Sequence, residues 1–95
     1  MVNREPMIAI AADPEDPVDF DVSASALERG LMGRRIRRLR DGLNMTQQQF
    51  AQAFGIRLST LRQYEMGRYM PPHAVRAYLK VIEAEPEMVR RAVAE

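Results

Sequence analysis

Ser59, Thr60, Arg62 and Gln63 place two hydroxyls, a guanidinium and a carboxamide in one short run, LSTLRQY. These groups suit reading the edges of nucleic-acid bases rather than breaking bonds. A carboxamide pairs bidentately with adenine, a guanidinium pairs with guanine, and a hydroxyl adapts to several edges. Ser59, Gln63 and Arg62, in that order, are the expected base readers, with Thr60 beside them; the competing reading is a solvated polar face. Catalytic chemistry finds little support. The chain has no cysteine, which removes disulfides, thiolate zinc sites and cysteine nucleophiles, and a single histidine, His73, which reads as a surface residue. No phosphate-cradling glycine loop is present, and no pair of acids sits on a rigid element facing a cleft. We therefore expect no enzyme, no cofactor and no metal.

Base readers need a rigid element. In TQQQFAQAFGIRLSTLRQYEMG (46–67), Thr46 caps a helix over about 47–54 with Phe50, Ala51 and Phe54 inward. Gly55 suits a left-handed turn position. A second helix follows over about 58–66, opened by Leu58 or Ser59, with Leu61 and Tyr64 inward and Gly67 ending it. Two short helices about a glycine corner form a helix-turn-helix pattern, whose second helix enters the major groove.

The flanking elements are also helical. Ser25 with Glu28 fits a capping box, Ser23 is a second cap, and a helix should begin near Ala24. Leu27 and Leu31 share a face. Gly30 and Gly33 weaken the middle, so a break is expected there. Ile36, Leu39 and Leu43 form a stripe among five arginines in RRIRRLRDGL, ended by Gly42 and Asn44. The arginines read either as a DNA-facing patch or, slightly preferred, as a solvated face whose stems cover apolar surface. Pro71 and Pro72 introduce a fourth helix with Ala74, Val75, Tyr78, Leu79 and Ile82 on its stripe, and Pro86 restarts the chain as a fifth over 87–94. The methionines read as gap-fillers.

In order, Leu39-Arg40, Met45-Thr46-Gln47, Phe50-Ala51, Gly55, Ser59-Thr60-Leu61, Tyr64-Glu65 and Gly67 resemble the Xre-family repressor domain over about 31–85. More narrowly, the single domain, the acidic N-terminus and the ending VIEAEPEMVRRAV resemble a HigA-type antitoxin of a bacterial toxin–antitoxin pair. The resemblance implies an all-α, five-helix repressor-like domain at 23–95 behind an acidic arm at 1–22, with room for one short strand in the arm. It implies a homodimer on a palindromic double-stranded operator, in the bacterial cytoplasm at the nucleoid. It makes Arg40 and Glu65 a structural ion pair, and Gln47 a phosphate contact at a helix N-terminus. Thr46, Arg57, Arg68 and Tyr69 are the other expected phosphate contacts. Arg57 departs from the pattern, which carries a small capping residue there, and Leu58 is apolar where a base contact is common.

The chain of 95 residues is long enough for one domain plus a tail. Its net charge of +1 hides a division: residues 1–30 carry seven acids against two bases, and residues 31–95 carry twelve bases against six acids. No apolar run approaches a membrane span, and no secretory leader is expected at the N-terminus. The arm alternates: Ile8 and Ile10, then Val18, Phe20 and Val22, with acids between. Such a segment can add to the edge of a partner's sheet while its carboxylates cover a basic surface. The resemblance makes that partner a small basic RelE/HigB-like toxin; the alternatives are a disordered tail or a strand pairing across a homodimer. Met88, Val89, Ala92 and Val93 on the last helix, and the arm, are the dimer candidates; the equal alternative for the last helix is packing back on its own domain. The competing function is a stand-alone repressor with no toxin.

Overall fold

The computed structural model describes residues 23–95, so the arm, including Ile8, Ile10, Val18, Phe20 and Val22, lies outside the described residues. The described chain is all-α: α1 Ala24–Gly42, α2 Gln47–Phe54, α3 Leu58–Glu65, α4 His73–Ala84 and α5 Pro86–Ala94. None of these helices is long and apolar enough to cross a membrane.

α1 runs unbroken through both glycines, contrary to the expected break. Gly33 is buried, and a β-carbon there would meet the α3 backbone. The glycine therefore serves close helix packing, which offsets its low helix propensity. The helix begins at Ala24 as expected, and of the two expected caps Ser23 is the one used, its hydroxyl accepting from the Ala26 N–H at 3.2 Å, while Ser25 stands within the first turn. At the far end, Asn44 takes a left-handed φ of 57° and turns the chain into α2.

Ile36, Phe50, Phe54, Leu61 and Ile82 are almost wholly excluded from solvent, with Ala51, Leu79 and Val89 close behind. The Phe50 and Phe54 rings lie 4.7 Å apart and tilted by 54°, within the favoured range for aromatic pairs. Each full burial of such a side chain stabilises the fold by about 1.5–3 kcal/mol. α1 packs on α3, α2 on α3 and α5, and α4 on α5. The Tyr78 hydroxyl donates to the Phe54 carbonyl at 2.7 Å, joining α4 to the end of α2. Ala74, expected on the α4 stripe, is exposed; the stripe is carried from Val75 onward. Val89 closes α5 onto its own domain, while Met88 and Val93 remain about half exposed.

Candidate nucleic-acid interface

The corner is built by three local devices. At the head of α2 a reciprocal capping box forms: the Gln49 N–H donates to the Thr46 hydroxyl at 3.1 Å, and the Thr46 N–H donates to the Gln49 side-chain carbonyl at 2.9 Å. At its end Gly55 takes φ 69°, ψ 31°, the left-handed conformation that glycine adopts without steric cost. α3 then ends in a Schellman arrangement. The Arg68 N–H donates to the Gln63 carbonyl and the Gly67 N–H to the Tyr64 carbonyl, both at 3.0 Å, with Gly67 at φ 74°.

Glu65 is the pivot of the corner. It is buried, and its carboxylate accepts from Arg40 Nε at 2.8 Å and Arg40 Nη2 at 2.9 Å. The hydrogen bond to Glu65 raises the Arg40 pKa above its ordinary value, against the opposing effect of burial. Arg40 Nη1 also donates to the Met45 carbonyl at 3.1 Å. Gln47 Nε2 donates to Glu65 Oε1 at 3.1 Å, and Arg62 Nε donates to Gln47 Oε1 at 3.4 Å. A chain of polar contacts thus runs from the α1 scaffold, through Glu65 and Gln47, to an exposed guanidinium on α3.

The C-terminal end of α3 is held from α1 as well. Arg37 Nη1 donates to the Glu65 carbonyl at 2.5 Å, and Arg29 Nε donates to the Gly67 carbonyl at 3.0 Å. Both supply positive charge where the helix dipole is negative. Neither role was visible in the sequence, where Arg37 is one of five similar arginines. The only signal was its place four residues after Gly33 on one helix face.

Among the expected base readers, Ser59 and Arg62 are exposed, and Thr60 and Gln63 are half-buried. Ser59, Arg62 and Gln63 stand at i, i+3 and i+4 on one face of α3. The Gln63 side-chain oxygen is enclosed without a partner. Base contact through this oxygen requires a rotation of its side chain. Of the expected phosphate contacts, Arg57, Arg68 and Tyr69 are exposed around the rim. Arg57 occupies the N-cap of α3 with no side-chain cap bond, so the free N–H groups of the first turn remain open to an anion. The Thr46 oxygen is occupied in the capping box, and the Gln47 amide in the Glu65 network. Among the described residues no cluster of His, Cys, Asp or Glu could hold a metal ion.

This geometry, a left-handed glycine corner between two short helices with the second presenting polar side chains, defines a helix-turn-helix protein. The profile of a helix-turn-helix domain matches residues 31–92, most of the chain, and the protein belongs to that family. No curated protein and no solved structure matches the chain.

Proposed function

We propose that the protein is a sequence-specific, DNA-binding transcription regulator whose α3 is the recognition helix. The observation that carries this reading is the polar chain Arg40–Glu65–Gln47–Arg62, which braces an exposed guanidinium beside Ser59 on the outer face of α3. Ser59, Thr60, Arg62 and Gln63 then read bases; Arg57, Arg68 and Tyr69 meet phosphates with their side chains, and Thr46 and Gln47, whose side chains are engaged within the corner, meet one through the α2 N-terminus they form. One such module covers little DNA. A homodimer through the half-exposed Met88 and Val93 of α5 would set two recognition helices one turn of DNA apart on a palindrome. Selection from a random-sequence duplex library tests this. Enrichment of one inverted repeat is expected; recovery of an unenriched pool would overturn the reading.

The charge division supports a second layer, that the regulator is an antitoxin repressing its own operon. Residues 1–22 carry six acids and one base, the complement of the basic RNA-gripping surface of a RelE/HigB-like toxin. Ile8, Ile10, Val18, Phe20 and Val22 would supply the apolar anchors. Purification from the native host with and without residues 1–22 separates this from a stand-alone repressor. A small basic protein should accompany the full-length chain only. DNA binding with no such companion in either form would leave the plain repressor.

A further inference from the structure

The cationic face of α1 is only partly used by the corner. α1 meets α3 through Gly33, Arg37 and Arg40. Arg34 and Arg38 each stand one residue further on, turned about 100° away around the helix. Together with Leu31, Arg35, Leu39 and Glu83 they line a furrow on the α4 side. It adjoins a groove of about 400 Å³ floored by Met32, Ile36, Leu39 and Leu79, with Arg76 and Lys80 on its rim. The Arg35–Glu83 ion pair, 3.1 Å long, separates the two. Among the described residues no hydrogen bond or ion pair engages Arg34, Arg38 or Lys80. On the same face toward the N-terminus, Leu27 and Leu31 are each 61% exposed. The surface therefore reads apolar, apolar, then strongly basic, in a line leading away from Ser23.

We propose that this furrow is the docking surface for the chain's own acidic segment, residues 13–22. Two facts select that occupant. Residues 13–22 carry five acids and no base, alternating at their end with Val18, Phe20 and Val22, which complements a line of leucines followed by arginines. The segment also joins α1 at its first turn. Ten extended residues reach about 33 Å, whereas α1 rises only about 22 Å from Ala24 to Leu39. The arm can therefore fold back along the whole furrow without leaving its own subunit. In the free protein the body screens the arm's charge, and any basic partner of the arm competes with Arg34, Arg35, Arg38 and Lys80. The inference concerns the free chain and does not depend on DNA binding.

Paramagnetic relaxation in the full-length protein tests it. The chain has no cysteine, so a nitroxide on Ala12→Cys is the only label. At low salt, amide signals of residues 34–39 and 77–83 should lose most of their intensity. They should regain it in about 1 M salt, where the screening length falls to about 3 Å. They should also regain it in the Arg34→Gln/Arg38→Gln variant, whose exposed sites leave the fold, and hence the spectrum, intact. Broadening confined to the first turns of α1 would overturn the proposal. So would broadening that ignores both salt and the double substitution. Broadening of an isotope-labelled chain only by a spin-labelled second copy would assign the furrow to a neighbour's arm, and would equally overturn it.

Discussion

A β-carbon on Gly33 would stand 2.6 Å from the Glu65 carbonyl oxygen and 2.7 Å from that of Tyr64. α1 therefore touches the last turn of the recognition helix backbone to backbone. Gly33→Ala should force the two helices apart and destabilise the fold by about 1–3 kcal/mol, against a propensity gain of at most about 1 kcal/mol. Nothing lies within 4 Å of a β-carbon on Gly30, so Gly30→Ala should stabilise by about 0.5–1 kcal/mol. Thermal melts of the two variants should move in opposite directions.

Glu65 holds Arg40, and Gln47 holds Glu65. Glu65→Ala leaves a largely buried guanidinium with only the exposed Asp41 carboxylate, 3.6 Å away, as a counter-charge, and should cost about 3–5 kcal/mol of stability. DNA affinity should fall chiefly with the loss of folded protein, and in the molecules that stay folded only by the release of Gln47 and Arg62 from the Glu65 brace. A paired replacement, Arg40→Met with Glu65→Leu, should recover much of the loss, because no charge is then left buried alone. Identical melting curves for Glu65→Ala and the parent would refute the scaffold role.

Tyr78 gives the fold a sensitivity to alkali. Burial raises its pKa above 10.0, so the folded state favours the neutral phenol. A raised pKa of this kind contributes stability that is fully present below the unfolded value near 10 and is lost as pH climbs through the folded value. Tyr78→Phe removes the bond to the Phe54 carbonyl, costing about 1 kcal/mol near neutrality. Urea midpoints measured from neutral pH upward should show the gap between parent and variant closing above pH 10.0.

Arg57 leaves the first turn of α3 without a side-chain cap. Arg57→Asp should stabilise the domain by about 0.5–1 kcal/mol through capping and the helix dipole. If Arg57 meets a phosphate, the same change makes the negative slope of log affinity against log salt shallower by about 0.9. Chemical denaturation and a salt titration of binding read the two effects separately.

The recognition face and the rim should fail differently. Arg62→Ala should cost about 1–3 kcal/mol on the selected operator and relax preference at one base pair. Arg68→Ala should weaken operator and random duplex alike, with the salt slope reduced by about 0.9. Competition binding across single-substituted operators distinguishes the two patterns.

The helices of the corner were legible because their signals are local. Thr46 with Gln49, the inward spacing of Phe50, Ala51 and Phe54, and Gly55 each act within a few residues, where backbone sterics and capping bonds decide the outcome. The family resemblance extended that reading to a pair of distant residues, Arg40 and Glu65. What the sequence misled on was longer in range. Gly30 and Gly33 read as helix breakers because propensity counts the cost of a glycine within its own helix. It is blind to the close approach of a second backbone, which explains Gly33. The five arginines of α1 were equivalent as a string. Only tertiary packing separated Arg40, bidentate on a buried carboxylate, and Arg37, on the carbonyl at the end of α3, from Arg35, paired with α4, and from Arg34 and Arg38 on the open furrow. Which arginine braces the recognition helix depends on where α3 and α4 come to rest around α1, and no local propensity encodes that position.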